Sequence, residues 1–387
     1  MKKDIINKRH AATFVSLTFK VVDARIEARP GNSNLGLPAS SFDTSFDTDK
    51  PASSASGGKM SRQYEEMSRR EFLKRAGCAG AGLALAAIHR QASAQPVSEL
   101  QKRILGRTNQ KVSILGLGTA PVGEGPVDVQ EGIKIFGEAI DRGVTYIDTA
   151  KIYGNAEEIL GHLIPKRRDK LFVVTKVSTD NAARAERSLS ESLRRLKTDH
   201  LDLVHIHSIG SKKLDRVLAL DGALEYLLKQ KEAGKIRFIG ISGHNRPPNF
   251  VRMLKTDQID VIMCVMNYAD RNIYDFESKV LPEARKRNVG CVAMKVYAGI
   301  KGGFPNHRSG HIGCVTEPAY LPQALAYALD LEGVSVAVVG PYTVEQAIQN
   351  VEFARKYKPL SEKQRASLLE YGRKLAPSLG PRYGPVA

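Results

Sequence analysis

The sequence has few cysteines, no long apolar run and no complete phosphate-cradling glycine turn, and each shortage narrows what its 387 residues can be. Its four cysteines are Cys78, Cys264, Cys291 and Cys314, and none is spaced C-x-x-C from another. Disulfide frameworks and cysteine-built zinc sites repeat short spacings of that kind, so neither is expected. No apolar stretch approaches the roughly 20 residues of a membrane-spanning helix. The weakly apolar run Ala76 to Ile88 is mostly alanine and glycine. The nearest approach to a G-x-G-x-x-G turn is Gly116-Leu117-Gly118-Thr119-Ala120-Pro121, with proline where the third glycine belongs, which argues against an open doubly wound sheet. The formal charge of +17 is not gathered into a patch. Runs such as Lys166-Arg167-Arg168 and Arg285-Lys286-Arg287 fall at helix ends, where cations complement the dipole, so no nucleic-acid partner is expected. Hydrophobic residues at 42% and charged residues at 26% are ordinary for a soluble globular protein.

Residues 1–59 carry no sustained helical or strand period, and Pro30 to Lys59 is rich in Ser, Asp, Gly and Pro, so a disordered leader is expected there. Next come Ser68-Arg69-Arg70-Glu71-Phe72-Leu73-Lys74, the apolar run Ala76 to Ile88, and Ala92-Ser93-Ala94. This segment resembles a twin-arginine export signal at every position of its motif, with charged, apolar and cleavage regions in order. The resemblance implies a signal over residues 60–94, cleavage after Ala94, passage through the twin-arginine translocation machinery, and a mature protein of residues 95–387 in the periplasm or beyond, without a stable membrane span. Signals of this kind begin near the start of translation, so a true start at Met60 or Met67 is expected. Cleavage would remove Cys78 and leave three cysteines, of which at most one pair could bridge. A protein that folds before export keeps its thiols reduced at that stage.

From residue 100 the pattern changes to short β-branched runs alternating with longer helical ones. Arg103–Leu105 and Lys111–Ser113 predict a hairpin. Eight strands follow, over 114–118, 145–148, 172–176, 201–207, 238–242, 261–267, 290–295 and 334–340. Helices are predicted among them, including 129–142, 182–196, 220–233, 276–287 and 343–356. Parallel strands need crossover helices, and a closed ring leaves no edge; eight such units in about 250 residues predict a (β/α)8 TIM barrel with an N-terminal β-hairpin.

Barrels of this type place reactive groups at the C-terminal ends of strands. The second strand ends at Asp148 and leads into Tyr153, the third ends at Lys176 and the fourth at His207. Reducing a carbonyl by hydride transfer requires a proton donor that stays protonated in water. Tyrosine can serve, with the Lys176 ammonium favouring its phenolate, Asp148 pairing with that lysine, and His207 donating a hydrogen bond to the carbonyl oxygen if its tautomer permits. The segments Tyr146-Ile147-Asp148-Thr149-Ala150-Lys151-Ile152-Tyr153-Gly154, Val174-Thr175-Lys176 and Asp202-Leu203-Val204-His205-Ile206-His207 resemble those that carry the catalytic tetrad of the aldo-keto reductase family. Gly143-Val144-Thr145, Asn155-Ala156-Glu157 and Gly234-Lys235-Ile236-Arg237 extend the likeness across residues 101–356.

The resemblance implies an NAD(P)H-dependent reductase of small carbonyl compounds or sugars, with NADP or NAD as cofactor. It assigns the dinucleotide to Gly118, Thr119, Ser242, Asn267, Met294, Lys295 and Gly340, with Gln346 and Asn350 near the adenine. Departures are visible. Gly243 follows Ser242 where the family commonly has Asn, Met263 stands where it offers Gln, Met294 replaces the aromatic that stacks on nicotinamide, and Tyr342 replaces an arginine used for a 2′-phosphate. The choice between NADP and NAD therefore stays open. The loop from Tyr297 to Glu317 is expected to carry substrate specificity. Two other readings stand beside this one. His205 and His207 share a strand face and could serve a metal-dependent hydrolase barrel, although no metal site is expected. A non-catalytic nucleotide-binding barrel is the other.

Overall fold

The computed structural model describes residues 99–303 and 313–387. The expected leader, the twin-arginine segment and part of the 297–317 loop lie outside the described residues.

The hairpin pairs β1 (Lys102–Ile104) with β2 (Lys111–Ser113) antiparallel, through a turn that ends at Asn109 with φ 55°. The first strand starts and stops one residue earlier than predicted because Leu105 leaves the ladder and packs, fully buried, against Gly290. Ser335 Oγ donates to the Ile104 carbonyl and Arg103 to those of Leu329 and Val334. These bonds fix the hairpin at the N-terminal end of the barrel.

Eight parallel strands form that barrel: β3 (Leu115–Gly118), β4 (Tyr146–Asp148), β5 (Phe172–Val177), β6 (Leu201–Ile206), β7 (Ile236–Gly243), β8 (Val261–Val265), β9 (Gly290–Met294) and β10 (Val334–Val339), with β10 pairing β3 to close the ring. The predicted (β/α)8 architecture is the one observed. Alternation along the strands decides what meets inside. Tyr146 on β4, Phe172 on β5 and Phe238 on β7, across the intervening β6, form an aromatic stack, with centroids 5.6 and 6.2 Å apart. Two or four residues further along the same faces come Asp148, Lys176 and Ser242. In register, Lys176 lies beside His205, and His205 beside Gly240. Gly240 is required there, since a Cβ would stand 2.3 Å from His205 Nδ1.

The covering helices begin at side-chain caps: Asp128 for Val129–Asp141, Asn181 for Ala182–Leu196 and Thr343 for Val344–Arg355. The single helix predicted over 276–287 is two, Phe276–Lys279 and Leu281–Lys286. Pro282 explains the break, because it lacks an N–H and its ring would clash with a continuous preceding turn. A closing helix, Glu362–Leu379, starts with a Ser361/Gln364 capping box and lays Gly372 on the Tyr268 carbonyl, where a Cβ would come within 2.1 Å. Among the described residues no helix is long and apolar enough to cross a membrane.

Candidate active site

Strand ends β4 and β5 supply the charged heart of the site. Lys176 is 1% exposed and Asp148 3%. The lysine Nζ lies 2.8 Å from Asp148 Oδ2 and 2.8 Å from the Thr149 carbonyl. These bonds use two of the ammonium's three N–H groups. The ammonium also lies 4.6 Å from the centre of the Tyr153 ring, a cation–π contact that sets its positive charge beside the phenol. Tyr153 reaches this place because Gly154, at φ 50°, turns the chain tightly against Gly123.

Burial sets the protonation states. It pulls the Lys176 ammonium down, but Asp148 and Tyr153 together outweigh it and hold the lysine charged, above the ordinary lysine range. For Tyr153, burial raises the phenol and outweighs the opposing pull of Lys176. The phenol is therefore kept as the acid at neutral pH, where the sequence alone had suggested a lysine tilting it toward phenolate. His207 sits edge-on to Tyr153, with ring centroids 5.9 Å apart. Burial, then the Lys176, Lys212 and Lys295 charges, hold its imidazole well below the usual range, hence neutral. His205 is fully buried beside Lys176 and is held neutral by the same two causes, burial first. The hydrolase alternative needs further ligands, and among the described residues no three His, Cys, Asp or Glu side chains gather into a metal-holding group.

The residues assigned to a dinucleotide lie on or just after β3 and β7–β10 and on the helix Val344–Arg355, and four of them have side chains already engaged. Thr119 Oγ1 donates to the Asp148 carbonyl at 3.0 Å and is fully buried. Asn267 Nδ2 donates to Asp270 at 2.7 Å and to the Lys295 carbonyl at 2.9 Å, while its Oδ1 accepts two backbone N–H groups. Gln346 accepts from the Tyr342 N–H, and Asn350 accepts from the Tyr297 hydroxyl. Gly118 and Met294 end β3 and β9, Gly340 follows β10, and Lys295 holds a left-handed φ of 57°. Ser242 differs: its hydroxyl is 1% exposed and has no hydrogen-bond partner among the described residues. A buried orphan hydroxyl at a strand end fits a polar ligand edge such as a carboxamide.

Several participants were not foreseen. Ser178 Oγ lies 2.9 Å from His207 Nδ1. It stands two residues after Lys176, so strand alternation could have found it. The Glu124 carboxylate acts on both Tyr153 and Lys295. Arg382, in the C-terminal tail, pairs with buried Asp270 at 2.8 Å and donates to the Ala298 carbonyl, while the Tyr383 ring packs at a tilt against His244, centroids 5.1 Å apart. No local pattern announces such long-range partners.

A family model described as "Aldo/keto reductase family" matches residues 114–309, half of the chain. The chain is an aldo/keto reductase. This aldo/keto reductase is 28% identical over 290 residues to an L-galactose dehydrogenase of Arabidopsis thaliana, covering 66% of the chain and 88% of the relative. It is 36% identical over 146 residues to a methylglyoxal reductase of Escherichia coli, covering 37% of the chain and 49% of that protein. Among solved structures, the holo form of an aldo-keto reductase from Bacillus halodurans superposes with a TM-score of 0.57 at 25% identity, covering 70% of this chain and 96% of the other. The reading as an NAD(P)H-dependent enzyme of this family stands on these likenesses.

Proposed function

We propose that this aldo/keto reductase reduces the carbonyl of a small aldehyde, ketone or sugar, or oxidises the matching alcohol, with Tyr153 as general acid or base. The observation that carries the reading is the buried Lys176 ammonium, 2.8 Å from Asp148 and 4.6 Å from the Tyr153 ring centre. Bound NADPH or NADH would supply the hydride, held by Ser242 at the nicotinamide end with Gly118, Thr119, Asn267, Met294, Lys295, Gly340, Gln346 and Asn350 along its length. Tyr153 gives its proton to the oxygen as negative charge grows there. Lys176 stabilises the phenolate left behind, and Asp148 keeps Lys176 charged and fixed. Neutral His207 orients the oxygen without competing as an acid. The walls that bury Lys176 and Asp148 exclude water and strengthen each of these interactions. The names of the relatives, a dehydrogenase and a reductase, support chemistry at a carbonyl or its alcohol.

The test is oxidation of NADPH and of NADH by purified protein against a panel of aldehydes, ketones and sugars, with Tyr153→Phe alongside. Turnover by wild type and its loss in the variant is the expected result. Nucleotide binding without turnover by either protein would instead favour the non-catalytic barrel.

We also propose export through the twin-arginine machinery to the periplasm, supported by Ser68–Lys74 and Ala92-Ser93-Ala94. Fractionation of cells carrying Arg69→Lys with Arg70→Lys tests it. Retention of the variant in the cytoplasm is expected, and equal periplasmic recovery of both forms would overturn it.

A further inference from the structure

His207 is neutral, so it carries one ring proton and one bare nitrogen, and which is which decides whether it can help the reaction. Nδ1 lies 2.9 Å from Ser178 Oγ, leaving Nε2 as the nitrogen available to the site. A hydroxyl can donate or accept. If Ser178 accepted from Nδ1–H, the bare Nε2 could only accept a proton and would compete with the substrate oxygen for that of Tyr153. If Ser178 donates, Nε2–H becomes the hydrogen-bond donor beside the phenol. The serine backbone is tied down separately, because its carbonyl accepts from Lys212 Nζ at 3.0 Å. That bond fixes the place of the residue, while the hydroxyl remains free to turn its proton to Nδ1.

We propose that Ser178 is a positioning residue that donates its hydroxyl proton to His207 Nδ1 and so holds the imidazole in the Nε2–H tautomer. It acts through His207 and does not touch the reacting atoms. The inference rests on the reductase reading for its purpose, yet its first test needs no turnover. In the full chain labelled with 15N-histidine, the two ring nitrogens of a neutral imidazole have widely separated shifts. The expected spectrum assigns His207 a protonated Nε2 and a bare Nδ1 in the wild type, and a mixed or reversed population in Ser178→Ala. A wild-type His207 protonated at Nδ1 overturns the proposal, as does a spectrum unchanged in Ser178→Ala. In steady-state assays with a substrate found above, Ser178→Ala is expected to lower kcat about tenfold, the order of one lost hydrogen bond, with little change in KM. Ser178→Thr, which keeps the hydroxyl, is expected to restore both the spectrum and kcat. A threonine variant as defective as alanine despite native-like melting also overturns it. A protein showing the Nε2–H tautomer but reducing nothing would refute the reductase reading and leave the assignment of Ser178 standing.

Discussion

The two sides of the barrel mouth are built differently. On the β4–β6 side, the proposed chemistry rests on particular functional groups: an ammonium bonded to Asp148 and the Thr149 carbonyl, a phenol beside it, and a neutral imidazole. On the β7–β10 side, the polar side chains assigned to a dinucleotide are mostly bonded to their own protein. Asn267 is spent on Asp270 and backbone groups, Gln346 on the Tyr342 N–H, and Asn350 on Tyr297. The C-terminal tail braces this second side through Arg382 and Asp270. Acid–base work cannot be delegated to the backbone, whereas the grip on a long polar cofactor can be shared among main-chain groups and shape. Side chains on the second side are thus freer to depart from a family pattern.

The comparison is broken most easily at the phenol. Tyr153→Phe removes the proposed proton donor while preserving the ring, and kcat is expected to fall by about 10²–10⁴ with nucleotide binding intact. Stopped-flow fluorescence of bound nucleotide checks the binding half. A loss of binding as large as the loss of rate would mean that the two sides are not separable.

The buried ion pairs offer the next largest effect, one pair on each side. Asp148→Asn leaves the Lys176 ammonium buried without its carboxylate and is expected to cost about 3–5 kcal/mol in urea unfolding, together with most of kcat. Asp270→Asn strips Arg382 of its partner, which is 19% exposed and can turn to water. A smaller loss of stability is expected there, with kcat within about threefold. Equal losses of kcat in both variants would show that the tail brace is as much a part of catalysis as the tetrad.

How far the sequence foretold this follows the same division. Asp148, Lys176 and His207 stand at strand ends, so counting strands and applying a period of two is enough to bring them together from the sequence. The barrel was legible for the same reason, since each β-branched run was followed by a helical one. Boundaries were less so. Leu105 left the hairpin ladder to plug the barrel floor, and Pro282 divided a helix that looked continuous by composition. Arg382 and Tyr383 were invisible because their partners Asp270 and His244 lie more than a hundred residues away, and contacts at that separation leave no local period. The engaged state of Asn267 was likewise hidden, for a motif position says which side chain is present and not what it is already bonded to.

The pH dependence of stability sharpens the first side. His205 and His207 have native pKa values well below the ordinary 6.5, chiefly through burial and then through Lys176. Below about pH 6.5 the unfolded chain takes up protons that the native state refuses, so stability is full above that pH and falls as pH drops through it. Each histidine contributes a slope of up to about 1.4 kcal/mol per pH unit, or roughly 2–3 kcal/mol for both between pH 7.5 and 5.5. Urea midpoints at the two pH values measure the loss; His244, which burial also holds well below the ordinary range, adds a similar share, so His205→Gln should remove about a third of it. A variant with the wild-type slope would mean that His205 titrates alike in both states and that the ammonium beside it exerts no such pressure.

The smallest effect belongs to Ser242, and it separates the two sides by sign. Its hydroxyl is 1% exposed and unpartnered among the described residues, a group that costs free energy in the empty protein and gains a partner only when a polar ligand edge arrives. Ser242→Ala should therefore leave the free protein as stable as wild type or up to about 1 kcal/mol more stable, while weakening NADPH or NADH binding about three- to tenfold. Thermal melts with and without nucleotide read both quantities from one preparation: the apo midpoint holds or rises, and the shift on adding nucleotide shrinks. A variant that melts lower and binds nucleotide unchanged would make Ser242 a packing residue, and would move the nicotinamide grip entirely onto the main chain.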